Sequence, residues 1–187
     1  MAEIIIKQNT RILTPREYSV IRENLKKEHK IILDAQLFTA MRQEEFRKFV
    51  EHPEWFKLQR HAIDLPKAAI LKEKCRFKER TIMLSTLGVA SIERLFDSVS
   101  DIPTRAAWNG DLTRACERAS IATDGIAPKM TRKTYISWLV AQFPQLHLLI
   151  ASSAGHSINV MQEHYLGIAF TPVDLEEMKQ YTSGWFK

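Results

Sequence analysis

Only two cysteines, Cys75 and Cys116, occur in 187 residues. Two cannot build a disulfide framework, and neither stands in a Cys-x-x-Cys or Cys/His ligand spacing. A disulfide-stapled secreted domain and a structural zinc site are therefore both excluded, and a reducing, cytoplasmic setting is the expectation. No apolar stretch approaches the ~18 residues that a membrane span needs. The opening MAEIIIKQNT has a brief apolar run but neither the charged n-region nor the cleavage site of a signal peptide. Internal repeats, low-complexity tracts and flexible linkers are missing as well.

What remains fits one globular domain, or one with a short appendage. A chain of this length buries a sizeable core, and a hydrophobic content of 45% is ordinary for that purpose. The net charge is +5 and the isoelectric point about 9.2. Such a balance permits a polyanionic partner without requiring one.

Residues Thr14-Pro15-Arg16-Glu17 have the form of a capping box, with Pro15 suited to the first helical position. The spacing of Tyr18, Ile21 and Leu25 predicts a helix from there to about His29. A second helix follows, burying Leu33, Leu37, Phe38, Met41, Phe46, Phe49 and Val50 and stopping at Pro53. The pattern then changes. Ala62–Leu65, Ala69–Leu71 and Thr81–Leu84 are short apolar runs separated by Pro66 and a basic stretch, which predicts a small antiparallel sheet. Its last hairpin carries Lys72, Lys74 and Lys78 at the tip. From Val89 onward the periodicity is helical again, and Thr171-Pro172-Val173-Asp174 opens a capped final helix running to about Thr182. The fold class is mainly α with one small antiparallel sheet.

Several residues stand out against this background. Arg42 lies on a stretch dense with apolar residues, where a charge is costly unless it is paired or lines a site. Lys129-Met130-Thr131-Arg132 opens a helix. Gly155-His156 follows a loop signal, and Tyr165 comes nine positions after His156. Each has a plain alternative: a snorkelling arginine, a solvated lysine run, a half-buried core tyrosine. His52, His61 and His147 have no role on this pattern. His164 is set aside because, on a helix, it points roughly a hundred degrees away from Tyr165.

The order of these pieces, from about Thr14 to the C-terminus, resembles the tyrosine recombinases. Thr39 to Phe46 is similar to the family's first box through Arg42, Glu45 and Phe46, with Ala40 where glycine is usual. The basic hairpin resembles the β-turn bearing the family's catalytic lysine, with Lys74 the best match and Lys72 the alternative. Lys129–Arg132 is similar to the second box, with Lys129 in place of histidine. Gly155-His156 and Tyr165 match the third in type and spacing.

The resemblance implies a mainly α catalytic-domain fold over residues 14–187, preceded by a linker or tail over residues 1–13. The N-terminal DNA-gripping domain usual in the family is missing from the expected layout. The activity implied is site-specific cleavage and rejoining of double-stranded DNA through a 3′-phosphotyrosyl bond to Tyr165. Arg42 and Arg132 would clamp the non-bridging phosphate oxygens. Lys129 would join them, and His156 would serve as base or hydrogen-bond partner. Lys74 would protonate the departing 5′ oxygen, and Glu45 would orient a basic neighbour. The chemistry implied needs no metal, cofactor or ATP. The partners implied are DNA attachment sites and further copies of the chain, as a tetramer on DNA that is weakly associated or monomeric without it. The lysine of the second box and the compact tail are similar to integrases of archaeal viruses and plasmids. Type IB topoisomerase-like relaxation and a catalytically silent DNA-binding relative remain as alternatives.

Overall fold

The computed structural model describes residues 4–69 and 79–186. The chain opens on a hairpin of β1 (Ile5–Lys7) and β2 (Thr10–Ile12). Gln8 and Asn9 both take positive φ at its two-residue turn, the backbone that matches the twist of paired strands. The expected boundary at Thr14 is not where packing begins, since Thr10, Arg11, Ile12 and Leu13 are already buried. Arg11 is held by Glu17 (2.5 Å) and the Ala122 carbonyl (2.9 Å). Glu17 also completes the capping box at Thr14, accepting from its amide at 3.0 Å while Thr14 Oγ1 accepts from the Glu17 amide at 3.2 Å.

The first helix, α1 (Pro15–Glu23), is shorter than its apolar spacing predicts. Asn24 ends it by turning its side-chain amide back to the Val20 carbonyl (2.9 Å), the local competition that makes asparagine a helix terminator. The predicted second helix is two helices, α2 (Lys27–Thr39) and α3 (Gln43–Glu51). Ala40 breaks them with a left-handed backbone (φ 48°), a conformation costly for any residue with a Cβ. A tertiary contact holds the break open: the Ala40 carbonyl, freed from the helix, accepts from Arg132 at 2.5 Å.

A three-stranded antiparallel sheet follows, ordered β3 (Phe56–Lys57), β4 (Ala62–Leu65), β5 (Arg80–Met83). Ile63 faces Ile82, and Leu65 faces Arg80. The third strand thus comes from Phe56–Lys57 rather than from the predicted run at Ala69. Ala69 instead closes a short helical turn onto the Pro66 carbonyl (3.0 Å), while Ile70 and Leu71 lie outside the described residues. The rest is helical: α4 (Thr86–Ser98), α5 (Arg105–Arg118), α6 (Lys129–Gln142), α7 (His147–Ala154), α8 (Ile158–Tyr165) and α9 (Pro172–Thr182). The fold class is mainly α, as the sequence implies, with two small sheets rather than one among the described residues.

The core centres on α6, buried on every side from Met130 to Val140 and packed against α2, α7, α8, α9 and β2. Trp138 Nε1 donates to the Leu13 carbonyl (2.9 Å), and the Leu13 amide donates to Thr134 Oγ1 (3.0 Å). The final helix packs on its own body. Tyr181 meets Trp138 and Tyr18 with ring centroids 5.2 and 5.5 Å apart, and Trp185 is buried. No helix among the described residues is long and apolar enough to cross a membrane.

The Arg11–Glu17 pair and the Thr14 cap share one carboxylate, and substitution separates them. Thr14→Ala is expected to lower the unfolding free energy in urea by ~1 kcal/mol. Glu17→Ala should cost about 3 kcal/mol or more, because Arg11 is left buried without its counter-charge. Equal, small losses from both variants would show that the ion pair contributes nothing.

Candidate functional site

Four segments far apart in sequence converge on one cleft of about 550 Å3. The break at Ala40 delivers Arg42 to the start of α3. The first turn of α6 delivers Lys129 and Arg132, β5 brings Arg80 in from behind, and α8 ends on Tyr165. Arg42, Glu45, Lys129, Arg132 and Tyr165 line the cleft together with Lys133, His164, Arg105 and Gln43. His156 sits in the turn between α7 and α8, behind Tyr165, with the two rings stacked at 5.4 Å and 22°. Lys74, with its alternative Lys72, lies outside the described residues.

Glu45 is the hub. Its side chain is 3% exposed and takes four hydrogen bonds: from the Arg42 guanidinium (2.7 Å), the Arg42 amide (3.0 Å) and two Arg80 nitrogens (2.7 and 3.3 Å). Burial pushes its carboxyl pKa up, but the Arg80 hydrogen bonds and the charges of Arg80, Arg132 and Arg42 outweigh that and bring it down to about 2. Arg80 further donates to the Ser153 carbonyl at 3.1 Å. Gly155 lets it approach so closely: a Cβ there would fall 3.0 Å from Arg80 Cδ, and φ at Gly155 is +69°. The glycine of the Gly-His pair thus serves both a helix end and the Arg80 side chain.

Arg132 is buried and pinned. One terminal nitrogen donates to the Ala40 carbonyl, and the other to the Ala154 carbonyl (2.6 Å) and to His156 Nε2 (2.6 Å). Of its five N–H groups, two are left for a ligand. Burial, with Arg42 adding to it, lowers its pKa to about 10, so the charge persists at neutral pH. Arg42, whose side chain is 37% exposed, reaches further into the open cleft.

His156 is neutral. Burial and then the charges of Arg132, Arg42 and Arg80 push it down to about 2, and its Nε2 lone pair already accepts from Arg132. That leaves the proton on Nδ1, which is buried with no partner among the described residues. The geometry fits a hydrogen-bond partner and not a base. Tyr165 is 6% exposed. Burial raises its phenol above the ordinary value, while Arg132 and Arg42 pull the other way without reversing it. The two guanidiniums thus favour the phenolate, but burial is the larger effect.

Several cleft residues were not apparent from the sequence. Arg80 lies at the head of an alternating run with Ile82 and Leu84, so its side chain shares their inward face; that alternation was the available signal. Lys133 is a buried cation next to Arg132 on α6. It donates to the Lys7 carbonyl (2.5 Å), and Lys7 Nζ donates to the Leu166 carbonyl (2.9 Å), so the N-terminal hairpin ties α6 to the residue after Tyr165. His164 lines the cleft after all, because the helix ends there and the cleft wraps around its end. Its ring lies 3.4 Å from the Gln8 amide.

Glu45 titrates near 4.5 when unperturbed and near 2 in the folded chain. Its contribution to stability is therefore complete above about pH 4.5 and is lost as pH falls toward about 2. The difference corresponds to about 3 kcal/mol. Acid unfolding of the wild type should show that loss across the window, and Glu45→Gln, already less stable at neutral pH, should lose correspondingly less. Identical pH dependence in the two would mean that Glu45 is not held ionised.

The sequence matches no family model and no curated protein. Solved structures do match. The Tn1549 transposon integrase in complex with circular-intermediate DNA superposes with a TM-score of 0.69 at 13% identity, over 94% of this chain and 68% of that one. XerA recombinase gives 0.62 at 14% identity, over 94% and 65%. XerH site-specific recombinase bound to difH substrate in a pre-cleavage complex gives 0.59 at 16%, over 82% and 49%. This chain thus spans between about half and about two-thirds of the length of those chains. Its fold is that of the tyrosine recombinase catalytic domain.

Proposed function

We propose that the chain cuts and rejoins double-stranded DNA, as the catalytic part of a site-specific recombinase, with Tyr165 as nucleophile. The observation that carries this reading is the charge count of the cleft. Five cations, Arg42, Arg105, Lys129, Arg132 and Lys133, line it with the phenol of Tyr165 against two carboxylates, Glu44 and Glu45, and Arg80 backs Glu45 from behind. Lys129 is exposed at the rim. A buried excess of positive charge is costly in an empty site and is relieved by a phosphodiester. The DNA-bound state of the Tn1549 and XerH neighbours supports the same partner.

Each residue then takes a role. Attack by the Tyr165 oxygen on phosphorus forms the tyrosyl–phosphorus bond and breaks the bond to the 5′ oxygen. The phenol gives up its proton to water in the open cleft, and the leaving oxygen takes one from a general acid to become a 5′-hydroxyl. Arg42 and the two remaining N–H groups of Arg132 hold the non-bridging oxygens, whose charge grows in the transition state. His156 acts as a neutral positioning residue that holds Arg132 and backs the Tyr165 ring. Lys129 adds a rim charge, and Lys74 is the proposed proton donor to the 5′ oxygen. The phosphotyrosyl bond conserves the energy of the broken phosphodiester, so a 5′-hydroxyl from another strand reverses the step without ATP. Assembly as a tetramer on paired sites belongs to the same proposal.

Incubation with a nicked suicide duplex is expected to give a denaturant-resistant, protease-sensitive protein–DNA adduct. Tyr165→Phe removes one oxygen and should bind DNA but form none. Arg42→Ala, at a half-exposed position, should slow adduct formation on the order of 100-fold with little loss of binding. Arg132→Ala should lose stability as well as activity, since it releases two carbonyls and His156. Arg132→Lys keeps a charge there and separates the two effects. Lys129→Ala should be milder. Adduct formation by Tyr165→Phe at the wild-type rate would overturn the reading.

A further inference from the structure

At Gln43 the cleft wall carries the end of a hydrogen-bond chain that none of the roles above uses. Trp108, fully buried on α5, donates its indole N–H to Gln36 Oε1 at 2.7 Å. Gln36 Nε2 in turn donates to Gln43 Oε1 at 2.7 Å. The indole can only donate, so the orientation of both amides follows from it. Gln36 must face it with oxygen, and Gln43 must face Gln36 with oxygen. The chain ends on Gln43 Nε2, a buried donor with no partner among the described residues, on a side chain that lines the cleft. Unsatisfied buried donors are rare enough to call for an explanation.

Arg105 supplies the second observation. It opens α5 three residues before Trp108, so the same relay that orients Gln43 fixes the helical turn carrying Arg105. It is exposed, lines the same cleft, and makes no ion pair among the described residues. A free cation and an orphaned amide donor, on two helices that the relay ties to Gln36 of α2, present donors only.

We propose that Gln43 and Arg105 form a second phosphate subsite, taking a non-scissile phosphodiester of the duplex whose scissile phosphate lies at Arg42 and Arg132. This rests on the DNA-cleaving reading above. Phosphate, rather than a base edge, is the ligand that the chemistry selects. Glutamine reads adenine by pairing its oxygen and its nitrogen at once, and the oxygen of Gln43 is already committed to Gln36. What is left to offer is the NH2 group of the amide, in the same cleft as a guanidinium, which suits an anionic acceptor and ignores sequence. The subsite would fix the register of the duplex so that one phosphate meets Tyr165.

The test measures duplex affinity against salt for wild type, Arg105→Ala, Arg105→Lys and Gln43→Leu, with melting temperatures as the control for folding. Single neutral methylphosphonates are then walked along the duplex. Arg105→Ala should flatten the slope of log affinity against log salt by about 0.9, one phosphate contact, and Arg105→Lys should restore it. Gln43→Leu should weaken binding and leave the slope unchanged. One methylphosphonate position away from the scissile phosphate should weaken wild-type binding but not that of Arg105→Ala, whatever the base pairs there. A wild type that binds DNA, with the same slope and the same methylphosphonate map in Arg105→Ala, overturns the subsite alone. A wild type that binds no duplex even at low salt overturns the DNA-cleaving reading and the subsite with it.

Discussion

Three arginines can share one small buried volume only if something anionic sits among them, and Glu45 is that group. Its four hydrogen bonds come from two side chains and one backbone amide on two different elements. The carboxylate therefore fixes the start of α3 against the start of β5. Gly155 clears the space through which Arg80 reaches it, and the Ala40 break turns Arg42 toward it. Arg132 sits close enough for its charge to hold Glu45 ionised, while its own hydrogen bonds go to the Ala40 and Ala154 carbonyls and to His156. Removing one carboxylate would leave like charges facing each other in low dielectric, at several times their repulsion in water. One buried acid against three arginines nevertheless leaves the cluster around Glu45 short of negative charge.

That shortage shapes the chemistry of the neighbours. Burial, and then the same cations, keep His156 neutral so that its Nε2 accepts from Arg132, and the cations moderate without overcoming the effect of burial on the Tyr165 phenol. The Tyr165 phenol is thus held protonated. The N-terminal hairpin adds a mechanical constraint, since Lys133, Lys7 and Leu166 form a chain of contacts from α6 to the residue beside Tyr165. Position and protonation of the phenol are in this way set by elements at opposite ends of the sequence.

Much of this was legible before any coordinates. Arg42, Arg132, His156 and Tyr165 each stand in a short motif whose residue type and spacing survive reading in one dimension, and the structure brings Arg42, Arg132 and Tyr165 to one cleft with His156 stacked behind. The capped helices at Thr14 and Thr171 were equally plain, because a cap is a local device. What escaped was set by contacts between distant residues. The run from Leu33 to Val50 keeps helical spacing throughout, and nothing local reveals that Arg132, 92 positions away, takes the carbonyl of Ala40. Arg80 looked like one more charge on a basic hairpin until the pairing of β4 with β5 turned it inward. Gln36 and Gln43 are unremarkable as letters and become a relay only when Trp108 arrives from another helix. His164 was set aside on helical geometry that stops applying at a helix end.

The central claim is that this buried excess of guanidinium charge exists to make one phenol attack phosphorus. The most direct measurement is mass-spectrometric mapping of the adduct trapped on a suicide duplex, after nuclease and protease digestion. The account predicts a single modified peptide spanning Tyr165, carrying the nucleotide as a phosphodiester of the phenol oxygen through its 3′-phosphate. Attachment to Tyr18, Tyr135, Tyr181 or a histidine, or linkage through a 5′-phosphate, would contradict it.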